Sequence, residues 1–256
     1  MTNRKFIKHG LIGGSLSHSF SKNYLESQWK KEGGHSYFYE LLEFENEKEL
    51  GNFFSNDVYS YRGLNVTIPY KVLVKRYMHA MTHEAKEIDA INCIAIKNNQ
   101  LIGHNTDGPA FLLSLKDWLP STSRASALIL GDGGASKAVQ WALRKLKINY
   151  SIVTRNSNIL NYSNLRSQWD DKFQLIIQTT PVGMYPKIND SLNIPFDKLN
   201  SNCFVYDLIY NPDPTVFLQN SLHYGANCMN GLKMLQLQAD LSNQFWKDQL
   251  GQLDFE

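Results

Sequence analysis

"ALILGDGGASKAVQWAL" (Ala127–Leu143) decides the architecture. A short apolar run meets Gly131, Gly133 and Gly134, and a helical pattern begins at Ala135. Glycine permits a tight turn there and lets backbone N–H groups approach a pyrophosphate. The helix N-terminus adds partial positive charge. The third glycine of the dinucleotide fingerprint is replaced by Ser136. Strand before and helix after make this a nucleotide loop in an α/β chain.

The next apolar run, "YSIVTR", ends in Thr154 and Arg155, followed by Asn156 and Ser157. NAD sites place a carboxylate near this point to bind the ribose hydroxyls. None is present. An arginine suits a 2′-phosphate through charge-assisted hydrogen bonds, so NADP is favoured over NAD.

Apolar runs alternate with helical stretches along the chain, as in parallel βα units. Strands are expected at Ile7–Ile12, Ser36–Leu42, Gly63–Ile68, Ala127–Leu130, Tyr150–Thr154, Gln174–Gln178 and Phe204–Ile209. A hairpin is expected over Ile91–Asn105, turning at Asn98–Asn99. Helices are expected at Ser21–Lys30, Gly108–Leu119, Ala135–Leu146 and Leu232–Gln249, and Pro120–Ser126 reads as a connection.

The chain has 256 residues, 43% of them apolar, enough for two modest domains. A net charge of +2 without a basic stripe argues against nucleic acid. No apolar run is long enough to span a membrane and no signal peptide is read, so a cytoplasmic protein is expected. The 3 cysteines, Cys93, Cys203 and Cys228, form no Cys-x-x-Cys and suggest neither a disulfide framework nor zinc. His79 and His83 in "HAMTH" lack the glutamate of the metalloprotease motif, and no metal is expected.

Polar residues cluster where other apolar runs stop. "GLNVTIPYK" (Gly63–Lys71) ends by presenting an amide, a hydroxyl and an ammonium. "SLSHSFSK" (Ser15–Lys22) gathers hydroxyls around His18. "DAINC" (Asp89–Cys93) sets Asn92 among apolar residues, and "GHNTDGPAF" (Gly103–Phe111) sets Asp107 before a glycine. Each alone reads equally as a cap or turn.

Together, and in this order, they resemble the shikimate dehydrogenase family. Its pattern of His-Ser-x-Ser, Asn-Val-Thr-x-Pro-x-Lys, Ala-x-Asn, Asn-Thr-Asp-Gly and Gly-x-Gly-Gly-Ala falls on His18–Ser21, Asn65–Lys71, Ala90–Asn92, Asn105–Gly108 and Gly131–Ala135. "QTTPVGM" (Gln178–Met184) resembles the loop beside the nicotinamide. "YDLIYNPDPTVFL" (Tyr206–Leu218) and "NGLKMLQLQAD" (Asn230–Asp240) resemble the terminal part. Four positions depart from the pattern. Ser15 and Lys22 stand for the prolines flanking the His-Ser segment, Ala110 for a glycine, and Gln178 for an asparagine.

The resemblance implies an N-terminal α/β substrate lobe over residues 1–105, completed by a C-terminal helix over 232–256. A Rossmann-like NADP-binding lobe would span 106–231, with the active site in the cleft between the lobes. It implies Lys71 and Asp107 as the catalytic pair, with Ser19, Ser21, Asn65, Thr67, Asn92, Tyr210 and Gln238 holding shikimate. The cofactor would meet Gly131, Gly133, Gly134, Ala135, Thr154, Arg155, Thr180, Gly231 and Met234. Hydroxyl and amide side chains match a ring bearing three hydroxyls and one carboxylate. The implied reaction is reversible reduction of 3-dehydroshikimate to shikimate with NADPH, in aromatic amino-acid biosynthesis, by a monomer or homodimer. The alternatives are a quinate/shikimate dehydrogenase of broader substrate or NAD use, and a non-catalytic NADP-binding sensor. A sensor would be expected to lack the lysine or the aspartate, and both are present.

Overall fold

The computed structural model describes residues 7–16, 20–33, 37–120, 126–155 and 160–250. Its strands are β1 (Ile7–Gly13), β2 (Tyr37–Glu43), β3 (Gly63–Val66), β4 (Ala80–Met81), β5 (Cys93–Lys97), β6 (Gln100–His104), β7 (Ser126–Leu130), β8 (Tyr150–Val153), β9 (Phe173–Gln178), β10 (Phe204–Asp207) and β11 (Asn227–Met229). Its α-helices are α1 (Phe20–Lys31), α2 (Glu47–Asn56), α3 (His83–Ile88), α4 (Asp107–Trp118), α5 (Gly134–Lys145), α6 (Val216–His223) and α7 (Leu232–Leu250). The chain divides into two compact units, Met1–Thr106 with Gln238–Glu256, and Asp107–Leu237. The division falls inside α7, after Leu237, whereas the sequence reading gives the first lobe the whole helix from Leu232.

The first unit holds a six-stranded sheet in the order β2-β1-β3-β5-β6-β4. It is mixed. β1 runs parallel to β2 and β3, whereas β5 is antiparallel to β3 and β6. The β5–β6 hairpin turns at Asn98 and Asn99 with φ of 50° and 57°. Asparagine tolerates that left-handed conformation, and such a turn matches the twist of the flanking strands.

Alternate residues feed two cores, as the pleat requires. Ile12, Leu64, Val66, Ile94 and Ile96 pack with Leu50, Phe53 and Phe54 of α2. Leu11, Cys93 and Ala95 pack with Leu25 and Trp29 of α1 and with Phe245 and Trp246 of α7. A Cβ on Gly63 would lie 2.5 Å from the Trp246 indole. Glycine there lets the ring lie on the strand, and the indole Nε1 donates to the Ile94 carbonyl at 3.0 Å.

The second unit holds a five-stranded sheet in the order β11-β10-β9-β7-β8. Every pairing in it is parallel. Its core joins Leu128, Leu130, Ile176 and Val205 to Phe217 and Leu218 of α6.

β8 stops one residue short of its expected end at Thr154, and two further strands stop two residues short for local reasons. The apolar alternation carries β3 to Ile68, but after Val66 the chain turns, and the Tyr70 N–H bonds the Thr67 carbonyl at 3.0 Å. The same reading carries β10 to Ile209. The Asp207 carboxylate takes the Ile209 N–H at 3.0 Å and folds the chain out of the sheet.

His9 is buried in an aromatic box, with ring centroids 4.6 Å from Trp246, 5.0 Å from Trp29 and 6.0 Å from Tyr37. Its Nδ1 has no hydrogen-bond partner among the described residues. Burial, helped by the charge of Arg62, pulls its pKa from 6.5 down to about 3. Between those values the unfolded chain binds the proton and the folded chain does not. This contribution to stability is therefore complete above pH 6.5 and is lost as pH falls toward 3. The loss approaches about 1.4 kcal/mol per pH unit within that window. Urea unfolding from pH 7 to pH 4 checks this: His9→Phe should remove that share of the slope.

Candidate active site

In the first unit, polar residues close the ends of β3 and the hairpin. Asn65 is buried. Its Oδ1 accepts from the Tyr39 hydroxyl at 2.8 Å, and its Nδ2 donates to the Asn92 carbonyl at 3.2 Å and to Ser242 Oγ at 2.9 Å. Asn92, also buried, accepts from the Thr106 N–H at 2.7 Å and donates to Thr106 Oγ1 at 2.9 Å. Ser242 Oγ lies 3.2 Å from Thr106 Oγ1 and donates to the Gln238 carbonyl at 2.8 Å. The sequence reading places Asn65 and Asn92 on a ligand; both also hold the fold together, and Asn65 uses both amide hydrogens for it.

The segment after β3 is set by backbone bonds. The Thr67 N–H reaches the Ile12 carbonyl at 2.8 Å, and the Lys71 carbonyl accepts from Ile91 at 2.8 Å. The Tyr70 hydroxyl donates to the Phe44 carbonyl at 2.6 Å. Thr67 and Lys71 are half-buried. Ser21 is buried in the first turn of α1, while His18 and Ser19 lie outside the described residues. Lys22, where the family pattern has proline, donates to Glu26 Oε1 at 2.9 Å and stands 4.8 Å from the Phe38 ring. It ties α1 to β2.

In the second unit, Asp107 opens α4 and is 6% exposed. A carboxylate in a first helical turn is favoured by the helix dipole. Ala110, the third departure, is buried three residues later in the same helix.

The glycine loop follows β7. Gly131 has φ of +107°, and a Cβ on it would lie 2.7 Å from Thr180 Cγ2. Protein packing therefore requires glycine at this position. Gly133, the N-cap of α5, differs: a Cβ there would meet nothing within 4 Å. Open space over exposed backbone at the start of a 12-residue helix suits a phosphate group. Gly134 and Ala135 form the first turn, and Ser136 is fully buried with Oγ accepting from Gln140 at 3.1 Å.

β8 ends before Thr154, which bridges to Asn161, and Arg155 is exposed beside it. Asn156 and Ser157 lie outside the described residues. The charges of Arg155 and Asp132 act with opposite sign on the Tyr162 phenol, which burial pushes up to about 12. Its hydroxyl is buried without a hydrogen-bond partner among the described residues.

Thr180 follows β9, and Tyr210 lies in the loop after β10. Gly231 packs so closely that a Cβ would lie 2.0 Å from the Leu208 carbonyl oxygen, and its N–H bonds the Ile209 carbonyl at 3.1 Å. Met234 is buried in α7. Sequence reasoning missed Asp207, which the strand pattern hid; burial pushes its carboxyl up to about 6 against hydrogen bonds from Thr215 and Ile209.

His79 and His83 each have a different partner. His79 Nδ1 accepts from the Leu101 N–H at 3.1 Å, and His83 pairs with Glu87 at 3.3 Å on α3. Among the described residues no group of three or more His, Cys, Asp or Glu is placed to hold a metal. No helix among them is long and apolar enough to cross a membrane.

The Asn65 network makes a measurable demand. Asn65→Leu should strand the Tyr39 hydroxyl and cost about 1–3 kcal/mol. Chemical unfolding monitored by tryptophan fluorescence reads it.

Comparison with known proteins identifies the family. Residues 11–94 match the family model described as the shikimate dehydrogenase substrate binding domain. The NADP(+)-dependent shikimate dehydrogenase of Methanococcus maripaludis is 34% identical, covering 96% of this chain and 94% of its own. A shikimate dehydrogenase crystallised with NADP+ superposes with a TM-score of 0.84 at 28% identity, covering 97% of this chain and 92% of its own. Shikimate 5-dehydrogenase from Thermus thermophilus, solved with NADP(H) and shikimate, gives a TM-score of 0.82 at 25% identity over 96% of this chain and 95% of its own. With a third of its residues shared along almost its full length with such a relative, the chain belongs to the shikimate dehydrogenase family.

Proposed function

We propose that this chain is an NADP-dependent shikimate dehydrogenase, reducing 3-dehydroshikimate to shikimate and running the reverse reaction as concentrations dictate. The observation that carries the reading is the match to NADP-dependent relatives along nearly the whole chain. Lys71, after the end of β3, and Asp107, at the start of α4, fall in the sequence motifs that resemble the family pattern, which supports their assignment as the catalytic pair. The alternatives, broader quinate or NAD use and a non-catalytic sensor, find less support.

Bound NADPH supplies the hydride. Charge then develops on the substrate's carbonyl oxygen, and a donor must meet it. Lys71 supplies a hydrogen bond or proton to that oxygen, and accepts one in the reverse direction. Asp107 accepts from the hydroxyl next to the reacting carbon. The Asn92 amide, Thr67 and Gln238 hold ring hydroxyls, with Asn65 bracing Asn92 and contacting the ring. Ser19, Ser21 and Tyr210 receive the carboxylate.

For the cofactor, Gly133, Gly134 and Ala135 would hold the pyrophosphate, and Thr154 and Arg155 the 2′-phosphate. Thr180, Gly231 and Met234 would line the nicotinamide side. The open space at Gly133 and the cationic side chain exposed after β8 support this assignment. Cys93 and Cys203 are buried and Cys228 is half-buried, and no disulfide joins cysteines among the described residues, which suits a reducing cytoplasm. We expect a monomer or a homodimer.

The test is shikimate-dependent formation of NADPH followed by absorbance. Lys71→Ala and Asp107→Asn should each abolish most turnover, and Lys71→Ala should still bind shikimate by calorimetry. Wild-type turnover in either variant would remove that residue from the chemistry.

Arg155→Ala should raise the KM for NADP about 10-fold or more, with little change for NAD. Equal effects on the two cofactors would show that Arg155 supports its loop instead of reading the phosphate.

A further inference from the structure

Two fully buried polar side chains stand side by side in the second sheet. Gln178 ends β9 and Asp207 ends β10, and the two are in register. Leu130, the last residue of β7, pairs with Gln178 on the other side. A parallel ladder stops at this row, and the next backbone groups need other partners.

Gln178 provides them for the loop after β9. Its Oε1 accepts from the Thr180 N–H at 3.0 Å and from Thr180 Oγ1 at 2.8 Å. Its Nε2 donates to the Val182 carbonyl at 3.0 Å. One side chain thus fixes the backbone at Thr180 and Val182 and holds Thr180 against Gly131. The longer glutamine, standing where the family pattern has asparagine, spans from Thr180 to Val182.

Asp207 does the same for the loop after β10. Its Oδ1 takes the Ile209 N–H at 3.0 Å, and its Oδ2 takes the Thr215 hydroxyl at 2.6 Å. Thr215 Oγ1 in turn accepts from the Leu218 N–H at 3.2 Å as the N-cap of α6. The segment between Ile209 and Thr215, which carries Tyr210, is closed at both ends by one carboxylate.

We infer that Gln178 and Asp207 are positioning residues with separate duties: Gln178 sets the Thr180 loop for the cofactor, and Asp207 sets the Tyr210 loop for the substrate carboxylate. The ligand assignments rest on the function proposed above; the loop-setting does not. Neither side chain is itself a ligand contact. Each acts by fixing backbone that would otherwise sample several conformations, so its loss falls on binding of one ligand.

The experiment uses the full chain, with Gln178→Met, Gln178→Glu, Asp207→Ala and Asp207→Asn. Steady-state kinetics give separate KM values for NADP and shikimate, and hydrogen–deuterium exchange follows peptides covering 179–184 and 208–215. Gln178→Met should raise the KM for NADP about 10-fold and speed exchange in 179–184 only. Asp207→Ala should do the same to the KM for shikimate and to exchange in 208–215. Gln178→Glu keeps both bonds to Thr180, and Asp207→Asn keeps the bond from Ile209, so each should recover part of the loss. These two also serve if the harsher variants fail to fold. Unchanged exchange in both loops, or equal loosening of both by either variant, would overturn the inference. A wild-type protein that turns over no shikimate would instead refute the proposed function, and the exchange data would still decide whether the two residues set their loops.

Discussion

The hydrogen bonds between Asn92 and Thr106 fix where both candidate catalytic segments begin. The Asn92 side chain holds the Thr106 N–H and hydroxyl, and the next residue in the chain is Asp107. The Asn92 carbonyl meanwhile accepts from the Val66 N–H at 2.8 Å and from Asn65 Nδ2 at 3.2 Å. It thereby anchors the end of β3, five residues before Lys71. One buried asparagine sets the exit of one segment and the entry of the other. Water cannot substitute at a residue 2% exposed, so these bonds are worth more than surface ones.

The same logic recurs in the second unit with different side chains. Its sheet is parallel, and its strands end together with backbone groups unpaired. Gln178, Asp207 and the Thr179 hydroxyl, which donates to the Leu130 carbonyl at 2.8 Å, take up those groups. Buried polar residues are costly when left incomplete and rigidifying when satisfied. Here they sit at strand ends, where rigid loops are needed to present ligand-binding groups.

Much of this was legible in the sequence where the signal is local. The glycine loop showed because Gly131 must adopt positive φ and Gly133 leaves space. The hairpin showed because paired asparagines tolerate the left-handed turn. α2 was missed although Asn46 and Glu49 form a capping arrangement: Asn46 Oδ1 accepts from the Lys48 and Glu49 N–H groups at 3.1 and 3.0 Å. α6 was missed because its cap, Thr215, follows two prolines that read as a loop. The bracing role of Asn65 was not legible, because its partners Tyr39 and Ser242 lie 26 and 177 residues away. Asp207 was hidden, and the bracing role of Gln178 with it, for a related reason: a polar residue ending an apolar run looks like a boundary, and only the register shows the two to be neighbours.

The placement of α7 bears on synthesis. Trp246 and Phe245 belong to the core of the unit that contains the first strands. During translation that unit has β1 to β6 in hand long before these two rings leave the ribosome. Until they do, the face of the sheet around Gly63 and Ala95 lacks the part of its cover that α7 provides. The unit spanning Asp107–Leu237 has its whole sheet available sooner. Domains fold as their segments become available. The part of the protein made first therefore finishes folding last, and its exposed sheet face is the surface that a chaperone would have to shield in the interval.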